Sequence, residues 1–162
     1  MAIRIIVKDP DSVLREKAKP VLKINSNIHK LLDDMADTMY DAEGVGLAAP
    51  QIGILKRVIV MDVGDEHGLI ELINPEIVSF SGEQLGPEGC LSIPGLQGDV
   101  KRPMEVTVKG WDRNGNEIVI EGKELLARCI MHEVDHLNGV LFTDLALRVY
   151  RNDVKENGGS AE

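Results

Sequence analysis

Two cysteines, Cys90 and Cys129, are all that the 162 residues carry. That excludes a disulfide framework, and in a reducing compartment both stay thiols, available for metal or nucleophilic chemistry. Positive charge is also scarce: 18 Lys and Arg against 27 Asp and Glu leave a net charge of -9. Such a balance argues against a general electrostatic grip on DNA or on an anionic membrane. No apolar run approaches the roughly 20 residues that span a bilayer. The opening MAIRIIVKDP has neither the apolar block nor the small-residue cleavage site of a signal peptide, so a cytoplasmic location is expected. There is no internal repeat, no low-complexity domain and no Gly-Lys-Ser/Thr phosphate loop. What is present, at 43% hydrophobic residues, suits one self-sufficient core. Residues 1–150 are expected to form a single domain, and 151–162, closing on NGGSAE, a polar frayed tail.

Ile28, Leu31, Leu32, Met35 and Met39 recur at helical spacing behind Asn25 and Ser26, which predicts an amphipathic helix over 26–41. Asp41 to Gln51, with two glycines and a proline, reads as a loop. Arg57 to Val63 and Leu69 to Phe80 read as strands. Met104 to Trp111 and Glu117 to Glu121 flank Asn114-Gly115 and predict a hairpin. From Lys123 to Leu137 the pattern is helical again, through Leu125, Leu126, Cys129, Ile130 and Val134, and it stops near Asn138-Gly139.

That second helix carries His132-Glu133-Val134-Asp135-His136. Histidines four apart leave one helical face a turn apart and can share one metal ion, with Glu133 beside them as a proton carrier. By chance an HExxH match arises in a chain of this composition with a probability on the order of one in a hundred. The plain alternative is two surface histidines on an amphipathic helix. A catalytic ion of this kind wants a third protein ligand and one open position. Extension of the motif to a third histidine fails, because Phe142 stands where it would fall. Glu156 lies in the expected tail. Cys129 is seven residues from His136, about 10.5 Å of helical rise, too far for both to reach one ion. Cys90, in the loop Glu88-Gly89-Cys90-Leu91-Ser92, would complete a His2Cys set, but spacing alone leaves it open between ligand and inert thiol.

Three stretches together, Gly44-Val45-Gly46-Leu47-Ala48-Ala49-Pro50-Gln51, Glu88 to Ser92 and His132 to His136, resemble the three signature motifs of bacterial peptide deformylases, in order and separation. The resemblance covers nearly the whole chain. It implies an α+β fold of antiparallel β-sheets packed around a central helix bearing the HExxH motif. It further implies a hydrolase that removes the formyl group from the N-terminal formylmethionine of new polypeptides. The ion would be Fe(2+), replaceable by Zn(2+) or Ni(2+), on Cys90, His132 and His136. Glu133 would carry the proton, and the Gln51 side-chain amide and Leu91 backbone N–H would face the carbonyl oxygen. Substrate main chain would lie along Val45, Gly46 and Gly89, and its methionine would enter a pocket of Val45, Leu125 and Cys129. Gly44 and Gly46 would permit a bent backbone beside it.

Two residues depart from the family pattern or sit oddly in it. Met131 precedes the motif where glutamine is common, so an outer hydrogen bond is lost or supplied elsewhere. Arg128 lies on the metal-facing stripe, either extending into solvent or meeting acidic groups of short substrates. Some family members use a basic C-terminal helix at the ribosome; here only Arg148, Arg151 and Lys155 offer transient contact. Rival readings are an endopeptidase, a copper electron-transfer site and a structural zinc module. They are separable by formate release, by a blue absorption band, and by unfolding on chelation.

Overall fold

The computed structural model describes residues 2–151, so the expected tail from 152 onward, including Lys155 and Glu156, lies outside the described residues. Eight strands form two antiparallel sheets. In the larger, the order is β1 (Gly46–Ala48), β2 (Val58–Met61), β3 (Ile70–Ser81), β6 (Glu105–Trp111) and β7 (Glu117–Lys123). In the smaller, β5 (Ile93–Arg102) lies between β4 (Gln84–Cys90) and β8 (Arg148–Arg151). Helix α1 (Ser26–Asp41) and helix α2 (Leu125–Leu137) supply the apolar faces that close the core, and α3 (Phe142–Leu145) is a single turn. The expected fold class is what the chain adopts.

α1 begins where its sequence says it should: the Asn25 side chain accepts from the N–H groups of Asn27 and Ile28 at 3.1 and 3.2 Å. Those are two of the first-turn donors that a helix cannot satisfy itself. Its stripe of Ile28, Leu31, Leu32, Met35 and Met39 is buried against Val58 and Val60 of β2. The alternate residues of β2, Ile59 and Met61, face the other way into the cluster holding Leu126, Ile130 and Val134 of α2. Covered on both faces, β2 reads in sequence as a continuous apolar run rather than an alternating one. α2 also contacts β5, which sets it between the two sheets. It ends at Asn138, and Gly139 turns the chain with φ 77°, where a Cβ would lie 2.5 Å from the Arg15 carbonyl oxygen. Only glycine fits on both counts.

Two segments depart from the sequence expectation. Within the loop expected over 41–51, Gly46–Ala48 is a strand paired with Ile59–Met61, and Ala49–Ile52 is a 3₁₀ turn. The Glu88–Ser92 loop is likewise mostly strand, since Glu88 and Cys90 pair with Gly98 and Ile93 and leave only Leu91 and Ser92 as the turn. Neither segment has strong strand propensity, and pairing with a distant partner decides both. Arg151, placed at the start of the expected tail, pairs with Leu96 in β8.

Candidate metal centre

Strand geometry brings the site together. Glu88 and Cys90 are two residues apart on β4, so their side chains share a face, and that face meets α2. Cys90 Sγ lies 3.3 Å from His136 Nε2, and His136 Nε2 lies 3.2 Å from His132 Nε2. All three candidate ligand atoms lie within 4.8 Å of one another. Around one tetrahedral ion with nitrogens at about 2.0 to 2.1 Å and sulfur at about 2.3 Å, neighbouring ligand atoms sit about 3.3 to 3.6 Å apart. The observed separations therefore suit a shared ion. Both histidines are buried, which removes the reading of two surface imidazoles. Cys129 is not in the cluster; its thiol reaches the Val45 carbonyl oxygen at 3.5 Å, and burial pushes its pKa up, leaving it neutral.

The His132 imidazole is oriented from behind. His132 Nδ1–H donates to Glu88 Oε1 at 2.9 Å, so its Nε2 lone pair faces Cys90 and His136. Glu88 is almost sealed from solvent. Burial alone would raise its pKa, but hydrogen bonds from Arg102 and His132 bring it down to about 2, so it is a fixed carboxylate. Arg102 grips it through Nε at 2.7 Å and Nη2 at 2.9 Å, and its Nη1 donates to Asp135 at 2.7 Å. Arg128 Nη1 adds a fourth bond to Glu88, at 2.8 Å. Burial holds His136 below its ordinary pKa, in the neutral form a ligand needs.

Glu133 occupies a different environment on the same helix. Burial raises its pKa to about 7, and Glu88 adds to the rise. Among the described residues, the buried side-chain atoms without a hydrogen-bond partner are Glu133 Oε1 and His136 Nδ1. An unpartnered buried acceptor beside a cluster of ligand atoms is a site built for something the protein alone does not provide. Gly46 makes room for it, since a Cβ there would lie 2.5 Å from Glu133 Oε2 and 2.8 Å from Cys129 Sγ. Clearance, rather than a bent backbone, is thus what glycine provides at 46; at Gly44 the clash would be with Leu91 Cδ1 at 2.7 Å. Gly89 has no such constraint, its nearest neighbour being the Leu96 carbonyl oxygen at 3.6 Å.

Gln51 is pinned at one end, where its Oε1 accepts from the Ala48 N–H at 3.0 Å. Its Nε2 then faces Ser92 Oγ at 3.1 Å and Cys90 Sγ at 3.6 Å. The chain's first residues clip this region: the Val7 N–H donates to the Gln51 carbonyl at 2.7 Å, and the Asp9 N–H to the Ser92 carbonyl at 2.8 Å. A cavity of about 360 Å³ opens over the cluster, lined among others by Val45, Gly46, Gly89, Leu91, Leu125 and Cys129.

Most of the residue range and the arrangement within it match known proteins. The family model for polypeptide deformylase matches residues 3–152. The peptide deformylase of Thermoanaerobacter pseudethanolicus is 62% identical over 96% of this chain and 97% of that protein. This chain belongs to the polypeptide deformylase family. The peptide deformylase of Acetivibrio thermocellus is 58% identical over 96% of this chain and 91% of its own length. Among solved structures, the Legionella pneumophila peptide deformylase superposes with a TM-score of 0.86 at 52% identity, covering 89% of this chain and 86% of that one. The Synechococcus elongatus peptide deformylase in complex with actinonin gives 0.85 at 44% identity, over 98% and 87%. As in any deformylase, a metal is required, and the Cys/His cluster is where this chain can hold it.

Sequence reasoning missed the outer layer. Glu88 stood inside a quoted motif without a role, although its position two before Cys90 on a strand would have placed it facing the same helix. Arg102 gave no signal. Arg128 does not extend into solvent: it is buried and bound to Glu88. Met131 packs against the core on the far side of α2. The outer hydrogen bond to His132 comes from Glu88 instead.

Proposed function

We propose that this deformylase hydrolyses the formamide of formylmethionine at the start of nascent polypeptides, in the cytoplasm, releasing formate. The observation that carries the reading is the convergence of one thiol and two imidazoles beside a sealed carboxyl group whose pKa lies near neutrality. Cys90, His132 and His136 would hold the ion, Fe(2+) with Zn(2+) or Ni(2+) as substitutes, and residues up to 150 would act as one catalytic unit. When bound, a divalent ion supplies Lewis acidity, lowering the pKa of water to about 7 and polarising a carbonyl.

Everything else falls to the chain. Glu88 holds His132 in one tautomer. Glu133 takes a proton from the attacking water at its carboxylate and delivers it to the leaving amine nitrogen, so water and formamide give formate and amine; its pKa near 7 suits both transfers. The Gln51 Nε2–H and the Leu91 N–H donate to the formyl oxygen as it gains charge, in the manner of an oxyanion hole. Val45, Gly46 and Gly89 offer main-chain groups to an extended substrate. Val45, Leu125 and Cys129 form apolar wall for the methionine side chain. Ribosome contact, transient if made, would fall to Arg148 and Arg151 on β8; Arg148 is already engaged by Asp99 at 3.5 Å and by the Tyr150 ring at 4.7 Å.

The test is formate release from a formyl-Met peptide by protein prepared without oxygen, repeated with Glu133→Ala. Activity in the first and near silence in the second, with metal still bound, is the expected result. Cleavage of unformylated peptides without formate release would favour an endopeptidase.

A further inference from the structure

The hydrolysis leaves one feature of the cavity unused: a cation set in its wall. Arg128 precedes His132 by one helical turn, about 6 Å along the axis, and lines the cavity next to Cys129 and Leu125. Only 9% of its side chain is exposed. Nη1 is fully occupied, donating to Glu88 Oε2 at 2.8 Å, to the Val100 carbonyl at 3.1 Å and to the Gly86 carbonyl at 3.4 Å. Nε and Nη2 have no partner among the described residues, and neither is among the buried atoms that are sealed and unsatisfied. Without a partner and not sealed, they keep solvent access on a residue that lines the cavity. Gly86 leaves that edge uncovered, since a Cβ there would sit 3.2 Å from Nη2. Arg102 also bonds Glu88, so Arg128 does not have the carboxylate to itself.

One cavity is lined by His132 and Glu133 and by Leu125, Arg128 and Cys129, so a formamide held at the first two would have its own residue's side chain within reach of the turn of α2 that carries Arg128. A methionine side chain is long enough to span the one turn, about 6 Å, between His132 and Arg128. A thioether sulfur is a weak acceptor, but the sulfoxide made from it by oxidation carries a strong one. In a wholly apolar pocket that oxygen would be buried without a donor; here two N–H groups await it. We propose that Arg128 is a specificity-determining residue whose free guanidinium edge admits a first side chain ending in a hydrogen-bond acceptor, so that chains starting with formyl-methionine sulfoxide are also deformylated. The sulfoxide passes through hydrolysis unchanged, and the inference rests on the deformylase reading above.

The test compares three peptides that differ only in the first residue: formyl-methionine, formyl-norleucine and formyl-methionine sulfoxide, the two sulfoxide epimers separately. In the wild-type protein, at least one epimer keeps kcat/KM within about thirtyfold of the norleucine peptide. That is the factor set by an unsatisfied buried acceptor, about 2 kcal/mol. Arg128→Met then widens the gap between sulfoxide and norleucine by about tenfold or more, through KM. Both epimers beyond thirtyfold in the wild type would overturn the proposal, and so would an unchanged ratio in Arg128→Met. If that variant does not fold, the wild-type comparison decides alone. Absence of formate from all three peptides would instead overturn the deformylase reading, and this inference with it.

Discussion

Gly46→Ala is the sharpest structural perturbation of Glu133, the proposed proton carrier, because it adds one carbon and no chemistry. The new Cβ would stand 2.5 Å from Glu133 Oε2, whereas ordinary contact begins at 3.4 Å. The carboxyl must therefore retreat by about 0.9 Å, or β1 must yield. β1 is buried and paired to β2 along its length, so the carboxyl moves. A misplacement near 1 Å at a reacting group costs about 10²-fold, roughly 2.7 kcal/mol of barrier. The assay is formate release with kcat and KM separated, alongside metal content and a thermal melt. Loss in kcat with metal retained is expected, with about 1–3 kcal/mol of overpacking in stability. Gly122→Ala is the matched control: its Cβ would meet Leu126 Cγ at 2.9 Å and Ile130 Cδ1 at 3.0 Å, behind α2 and away from the site. It should lower Tm and spare kcat. If Gly46→Ala keeps kcat within about threefold of wild type, the carboxyl does not need its observed position and the reasoning on proximity fails.

Gln51→Ala removes a donor pinned by the Ala48 N–H, and kcat should fall about 10²- to 10³-fold with KM little changed; an equal loss in binding alone would assign Gln51 to substrate affinity. Glu88→Gln leaves Arg128 buried without a carboxylate and Arg102 with Asp135 alone, for a cost of about 3–5 kcal/mol in stability measured by denaturant. Metal affinity in the same variant should weaken about 10- to 100-fold. The pH sign follows from a folded pKa of about 2 against an ordinary 4.5: the contribution is complete above pH 4.5 and is lost as pH falls toward 2. The stability gap between wild type and Glu88→Gln should therefore narrow below pH 4.5, and a gap that widens there would contradict the assignment.

Both helices and the hairpin were legible in the sequence because each is locally encoded. α1 has its stripe and its Asn25 cap, α2 its period and Gly139, and the β6–β7 hairpin its Asn114-Gly115 turn. The histidines and Glu133 were legible for the same reason, since helical spacing fixes which residues share a face. β1, β4, β5 and β8 were not, because glycines and prolines such as Gly86, Pro87 and Gly89 mask strand propensity and pairing across the chain supplies what local preference lacks. The same holds for Arg128. Spacing placed it on the correct stripe of α2, but its burial depends on Glu88, 40 residues away on strand β4.

The account stands on Cys90, His132 and His136 sharing one ion, and X-ray absorption at the edge of the metal in the freshly loaded protein tests that most directly. One sulfur at about 2.3 Å with two imidazole nitrogens at about 2.0 to 2.1 Å is the predicted shell. A shell without sulfur, or one closed by a fourth protein side chain, would contradict it.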